Sequence, residues 1–237
     1  MINQIKNINL KKSDLLSDIK TRNNWREFTE GKYLSRYHIN RLKYLEWNSD
    51  RCPEKLVRST FRELYDVNKI LLGRQTRNAV YDEEKLVVDN TIMVCILHHE
   101  LERVDNSHLR KYYTNIKKNR DDVISISLNF KLFFLLGIIN SLVTKYFLKI
   151  LTKGKLDAYP DDWKKIIIPF GNGELQNRIS NLVDQILTTK KQLHEAKTES
   201  DKTYLERKCA TLDKQIDELV YQLYGLTEEE IKIVEEA

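Results

Sequence analysis

Between residues 171 and 224 the apolar positions recur at helical spacing. Leu175, Ile179, Leu182, Ile186 and Leu193 step by four, three, four and seven, with Thr189 in the intervening core position. That places them on one face of a helix of about six turns. The polar run Thr198-Glu199-Ser200-Asp201 interrupts the pattern and offers Ser200 or Asp201 as the cap of a second helix. The second stripe is cleaner: Leu205, Cys209, Leu212, Ile216, Leu219 and Leu223 alternate steps of four and three, and Gly225 supplies a stop. Two helices joined by so short a turn lie antiparallel. Thr227 followed by Glu228, Glu229 and Glu230 then opens a short last helix with acidic residues on its positive end.

Upstream the period changes. Residues 69–73, 79–82 and 86–97 are rich in Val and Ile and separated by polar turns at 74–78 and 82–85, which predicts strands that pair as a small β-meander. Residues 98–122 are polar and read as an excursion with little core. From 128 to 151 the apolar density is too high all round for a surface helix. Phe130, Phe133, Phe134, Leu136, Ile138, Leu142, Tyr146 and Phe147 predict a helix buried against the strands. Residues 1–66 interleave Trp25, Tyr33, Tyr37, Tyr44, Trp47 and Phe61 with Arg22, Arg26, Arg36, Arg41, Lys43, Arg51, Arg58 and Arg62, without a period that fixes their secondary structure. The triplet Ile166-Ile167-Ile168 ends at Pro169-Phe170-Gly171-Asn172-Gly173, the clearest boundary in the chain. The expected fold is mixed α+β: a first domain, 1–170, of β-meander and buried helix, then an antiparallel helical hairpin with a short terminal helix, 171–237.

Composition sharpens this division. The chain has 237 residues, 41% hydrophobic and 32% charged, enough for one sizeable core plus an appendage or for two small domains. The net charge of +5 conceals an asymmetry: residues 1–170 hold 31 Lys+Arg against 21 Asp+Glu, whereas residues 171–237 hold 9 against 14. A basic part joined to an acidic one fits a polyanion partner for the first and a protein or solvent for the second, with nucleic acid the leading candidate. The apolar run around 133–139 falls far short of the ~20 residues that span a bilayer. The first twelve residues lack a signal-peptide core, so the expected location is cytoplasmic, without membrane contact. Cys52, Cys95 and Cys209 are widely spaced and outside any CxxC pattern, which supports neither a disulfide framework nor a zinc site.

Catalytic motifs are scarce. Pro53, Pro160 and Pro169 stand apart, so the Asn/Asp-Pro-Pro-aromatic loop of an amino-methyltransferase is missing, and no Gly-Lys-Ser/Thr follows another Gly as a P-loop requires. Glu83-Glu84-Lys85 with Asp66 matches the letters of a Mg²⁺-dependent nuclease, but such triplets arise by chance in a chain one-third charged. His98-His99-Glu100 has no second cluster to complete a metal site. No catalytic residue, metal ligand or cofactor is therefore expected. The constructive signal is Gly73-Arg74-Gln75-Thr76-Arg77-Asn78. A turn carrying two Arg, a Gln and an Asn presents the donors that read base edges in pairs, each worth ~1–3 kcal/mol of discrimination. Arg74, Gln75 and Arg77 are expected near base edges, with Asn78 after them, and Thr76 is expected among the DNA-binding residues of the same turn. Lys11, Lys12, Arg22, Arg26, Arg58, Arg62, Lys117, Lys118 and Arg120 are the expected phosphate contacts. Tyr221, Leu223 and Tyr224 make one end of the second helix more apolar than a hairpin needs, as an interface would.

The stretch Asp217-Glu218-Leu219-Val220-Tyr221-Gln222-Leu223-Tyr224-Gly225-Leu226-Thr227-Glu228-Glu229-Glu230-Ile231, preceded by Val183-Asp184-Gln185-Ile186-Leu187 and Lys190-Lys191-Gln192-Leu193, resembles the C-terminal end of type IIG restriction-modification enzymes and related adenine-specific DNA methyltransferases. The region before it is similar to their TaqI-like target-recognition domain: Gly73-Arg74-Gln75-Thr76, Tyr81-Asp82-Glu83-Glu84, Asp89-Asn90-Thr91-Ile92, Leu135-Leu136-Gly137-Ile138-Ile139-Asn140-Ser141, Tyr159-Pro160, Trp163-Lys164-Lys165 and Ile166-Ile167-Ile168-Pro169. The similarity runs from about residue 66 to the end and leaves out the methyltransferase and nuclease portions usual in such enzymes. It implies a sequence-specific recognition module for double-stranded DNA. The module would act with a methyltransferase or restriction subunit docked through the helical hairpin, or derive from a larger enzyme. The competing expectations are a small nuclease built on Asp66, Glu83 and Lys85, and an interaction subunit that never touches DNA.

Overall fold

The computed structural model describes residues 11–47, 49, 51 and 61–237. Its strands are β1 (Leu16–Ser17), β2 (Asn24–Thr29), β3 (Leu34–Ser35), β4 (His38–Ile39), β5 (Lys43–Glu46), β6 (Lys69–Gly73), β7 (Ala79–Asp82), β8 (Val87–Val88) and β9 (Ile92–Cys95). The helices are α1 (Ser107–Ile116), α2 (Arg120–Ser127), α3 (Leu132–Asn140), α4 (Leu142–Thr152), α5 (Pro160–Trp163), α6 (Gly173–Glu195), α7 (Glu199–Tyr224) and α8 (Glu228–Glu235). The protein is thus mixed α+β.

The strands form three small sheets. One has the order β1-β5-β2-β8, with β8 parallel to β2 and the other pairs antiparallel, β3 and β4 make a two-stranded ribbon, and an antiparallel sheet has the order β7-β6-β9. This last sheet is a partition between two cores, and its period-two alternation shows how. Ile70 and Leu72 of β6, Ala79 of β7 and Met93 and Cys95 of β9 face the helices. Leu71, Val80, Ile92 and Val94, one step out of phase, face the first sheet with Phe28, Leu45, Val87 and Val88. Such two-sided burial explains why all five residues of β6 are buried and why Ile70-Leu71-Leu72 runs apolar without alternation.

Helix α3 lies on the helical side of the partition. Gly137 lets α6 approach: a Cβ there would meet Ile179 Cγ2 at 2.7 Å and Val183 Cγ2 at 3.1 Å. At the end of α3 the buried Asn140 amide accepts from Ala79 N–H and donates to Ala79 C=O, both at 2.9 Å, so that a side chain pairs with β7 as a strand would. The next residue, Ser141, caps α4 through its hydroxyl and divides the predicted 128–151 helix in two. Helices α6 and α7 form the predicted antiparallel hairpin. Its second helix is capped by Thr198, whose side chain accepts from Asp201 N–H, in place of Ser200 or Asp201. Gly225 closes α7 in the left-handed region at φ 66°, and Thr227 with Glu230 makes the capping box of α8.

The sequence boundary at residue 170 marks a change of element type inside a continuous core. Phe134, Leu136 and Ile138 of α3 share one hydrophobic cluster with Ile179, Val183, Leu212, Ile216 and Val220 of the hairpin. A polar link reinforces it: Arg36, between β3 and β4, reaches Asp213 at 3.3 Å and Asp217 at 3.5 Å on α7, and Asp217 also accepts from Leu142 N–H at 2.8 Å. Two further expectations are corrected. The predicted 86–97 strand is two strands in different sheets, because β8 leaves to pair with β2 and β9 takes the far edge of β6, so the sheet is no meander. The 98–122 excursion is helical, and Leu101, Leu109 and Tyr113 give it a small core of its own.

On the first-sheet side of β6 a buried ion pair joins its start to the end of β7. Lys69 Nζ lies 2.7 Å from Asp82, with side chains 0% and 1% exposed. Burial lowers the Lys69 pKa and raises that of Asp82, each opposed by the partner. Replacing Lys69 by Met leaves a buried carboxylate unpaired and is expected to cost about 3–5 kcal/mol at neutral pH. Since the folded Asp82 value lies above its ordinary 3.8, that deficit shrinks as pH falls through the folded value and the carboxyl takes up a proton. Urea denaturation of Lys69→Met and wild type between about pH 7 and about pH 5 checks the sign.

Candidate nucleic-acid interface

The β6–β7 connection is a closed turn. Gly73 N–H donates to Asn78 C=O and Arg77 N–H to Gly73 C=O, both at 3.0 Å, and Arg77 takes the left-handed region at φ 53°. Thr76 folds its hydroxyl over Gly73, filling the place a Cβ would need. Asn78 Nδ2 donates to Leu34 C=O at 3.2 Å. Of the turn residues Gln75 alone is exposed.

The two arginines of the turn point into the protein. Arg74 donates through Nη1 to Asn90 C=O at 2.9 Å and through Nη2 to Asp157 Oδ2 at 2.7 Å, and its guanidinium lies 4.5 Å from the centre of the Tyr159 ring. Its main chain joins in: Arg74 N–H donates to Thr91 C=O at 3.0 Å, and Arg74 C=O accepts from Ala158 N–H at 2.8 Å. Arg77 Nη2 donates to Lys155 C=O at 2.8 Å and to Thr152 Oγ1 at 3.1 Å. Both side chains hold the loop between α4 and α5 against the turn. A guanidinium suits the task because its fixed fork can satisfy several carbonyls of an irregular loop at once.

What the pair of loops exposes is Gln75 together with Lys153, Lys155, Leu156 and Tyr159. Lys149, Lys164 and Lys165 are exposed nearby in sequence. Helix α4 ends with Lys153 at φ 48° and Gly154 at φ 79°, which turns the chain sharply enough to present both lysines. Sequence reasoning missed these residues. A glycine soon after an apolar run signals a helix end, yet nothing local says which turn that end abuts.

The remaining candidates divide in the same way. Arg26 donates to Tyr65 C=O, Lys85 C=O and Asp66 at 2.8–3.0 Å, and Arg120 to the carbonyls of Leu101, Glu102 and Val104 at 2.7–2.9 Å. Lys12 is paired with Glu30 and Asp89. Lys11, Arg22, Lys117 and Lys118 are exposed, Arg62 opens a 3₁₀ turn, and Arg58 lies outside the described residues. The nuclease letters do not converge on one another: Asp66 is bound by Arg26, Glu83 by Lys191 at 2.7 Å, and Lys85 offers Arg26 its carbonyl. Among the described residues no three His, Cys, Asp or Glu side chains come together as a metal site. His98 contacts Tyr113 Oη and His99 contacts Ser127 Oγ, each at 3.0 Å. Cys95 and Cys209 are unbridged, burial pushes the Cys95 thiol up to about 11, and Cys52 lies outside the described residues. Tyr221 is covered, its hydroxyl 3.4 Å from Glu235, and Tyr224 donates to Ile167 C=O at 2.6 Å, so this end of α7 packs on its own chain. No single helix among the described residues is long and apolar enough to cross a membrane. No family model matches the chain, and no curated protein is significantly similar to it.

The tether has a direct test. Asp157→Ala removes a largely buried charge-assisted bond, with an expected cost of ~1–2 kcal/mol after allowance for solvent screening. Hydrogen exchange of the Ala158 amide should accelerate about tenfold, with amides of α6 and α7 unaffected. Unchanged exchange at Ala158 would mean that Arg74 does not hold the loop.

Proposed function

We propose that this chain is a sequence-selective recognition module for double-stranded DNA, of the kind used in restriction-modification or phage-defence systems, and that the chemistry on DNA is done by a methyltransferase or restriction partner. The observation that carries the reading is the double arginine tether, which makes the β6–β7 turn and the α4–α5 loop one preformed surface bearing Gln75, Lys153 and Lys155. Exposed lysines on one loop and an exposed amide on the turn tied to it match the division between phosphate contacts that fix register and base contacts that specify. The motif resemblance to type IIG recognition domains, read from the sequence alone and matched by no family model or curated protein, points the same way.

Roles within the group follow from the geometry. Gln75 is the base-reading side chain, and its amide suits the paired donor and acceptor of adenine in the major groove. Arg74 and Arg77 position it. The acidic hairpin turns its exposed Glu and Asp side chains away from the core and is suited to a protein partner. It is ill suited to a polyanion.

Fluorescence anisotropy with a random-sequence duplex across a salt series tests the proposal. Affinity should fall as salt rises, and replacing Lys153 and Lys155 together by Ala should flatten the log–log slope by ~2. After selection of preferred sequences, Gln75→Ala should lose ~1–3 kcal/mol of discrimination with the slope unchanged. Salt-independent or absent binding contradicts the reading, as does plasmid cleavage by the purified chain in Mg²⁺.

A further inference from the structure

The loop that carries the two lysines also carries a feature that phosphate binding does not need. Leu156 is 72% exposed, directly after Lys155 and before Asp157. An exposed leucine is ordinary on a protein surface. The backbone around this one is not. Lys155 C=O is held by Arg77, Lys155 N–H donates to Thr152 C=O at 3.0 Å, Asp157 is held by Arg74, and Ala158, fully buried, donates to Arg74 C=O. The chain is fixed on both sides of a residue whose side chain remains in solvent. A free loop would let that leucine fold onto neighbouring apolar surface, such as the half-exposed Tyr159 ring.

We propose that Leu156 is a wedge that enters a base step of the bound duplex and partly unstacks it, with Lys153 and Lys155 holding the flanking phosphates. The inference rests on the DNA-recognition reading. An apolar side chain next to cations, here Leu156 after Lys153 and Lys155 with the following Asp157 neutralised by Arg74, can pry a step open: the cations draw the backbone close, and the side chain replaces the lost stacking contact. Rigidity matters because a wedge must resist being pushed aside, and the two tethers remove the ordering cost that a flexible loop would bear on binding. Ile19 and Ile167 are as exposed as Leu156, and their main chains are also bonded, by Ser17 Oγ and Tyr224 Oη, but Leu156 is the one that lies on the loop tied by Arg74 and Arg77 to the β6–β7 turn. For a module that serves a methyltransferase the consequence is direct, since a base beside an opened step leaves the stack more easily.

Unstacking leaves a signature that does not require the target sequence to be known: a wedge binds better where the duplex is already weakened. The full chain is titrated against a duplex of about 25 base pairs carrying one central T·T mismatch, and against the same duplex fully paired. Wild type should favour the mismatched duplex about tenfold, Leu156→Ala should bring the two within about twofold, and Leu156→Phe should keep the preference. Lys153→Ala should weaken both duplexes equally. Equal binding of the two duplexes by wild type, or a preference that survives Leu156→Ala, overturns the wedge while leaving the recognition reading intact. Binding of neither duplex overturns both, and recruitment to anionic phospholipid vesicles in its place would assign the surface to a lipid. Circular dichroism of Leu156→Ala should match wild type because the side chain is in solvent.

Discussion

Two guanidiniums decide what this surface can be. The β6–β7 turn and the α4–α5 loop are more than 70 residues apart in sequence, and each is irregular. Arg74 and Arg77 span the gap by bonding Asp157, Thr152 and Lys155 while Arg74 lends its backbone to Thr91 and Ala158. Irregular loops carry carbonyls that no ladder satisfies, and a buried carbonyl without a partner is costly. Supplying donors from long side chains solves that problem and makes the two loops one body. The arrangement recurs: Arg26 gathers the carbonyls of Tyr65 and Lys85, and Arg120 those of Leu101, Glu102 and Val104. Much of the positive charge that a composition count assigns to a polyanion is thus committed to the fold.

The rest of the architecture serves to fix the base of the turn. β6 is buried on both faces, the Lys69–Asp82 pair closes one end of its ladder with β7, and Asn140 hydrogen-bonds β7 from the helical side. Arg36 then binds the β3–β4 ribbon to α7, and Asp217 binds α7 to the start of α4, the helix that delivers the lysine loop. A chain of direct contacts therefore runs from the hairpin to the exposed face. Nothing comparable leads to Glu83 or Asp66, which end in solvent-exposed ion pairs.

How much of this could be read beforehand follows the range of the forces involved. β6 and β7 were legible to the residue, because apolar burial is a local signal, as was the Thr227 cap, and the α6–α7 hairpin was legible in outline, its second cap falling at Thr198 instead of Ser200 or Asp201. The α3–α4 break was not, since Ser141 interrupts an otherwise apolar stretch with one hydroxyl. Nor was the departure of β8 to another sheet, which depends on β2 and its unperiodic surroundings. The 73–78 turn was found from its donors, but the direction of Arg74 and Arg77 was not, because their partners lie at 152–157 and an arginine reads alike whether it faces a phosphate or a carbonyl. Gln75 survives as a candidate for the opposite reason: it is exposed, and among the described residues no hydrogen bond holds its side chain.

The account stands on the claim that the face carrying Gln75 meets duplex DNA and the acidic hairpin does not. A photoreactive benzophenone residue placed at position 75, and in a separate variant at position 204, where Tyr204 is 66% exposed on α7, measures this directly with a radiolabelled duplex. Crosslinking from position 75 that competes with unlabelled duplex, and none from position 204, is the predicted result. Crosslinking from position 204 with none from position 75 would contradict the claim.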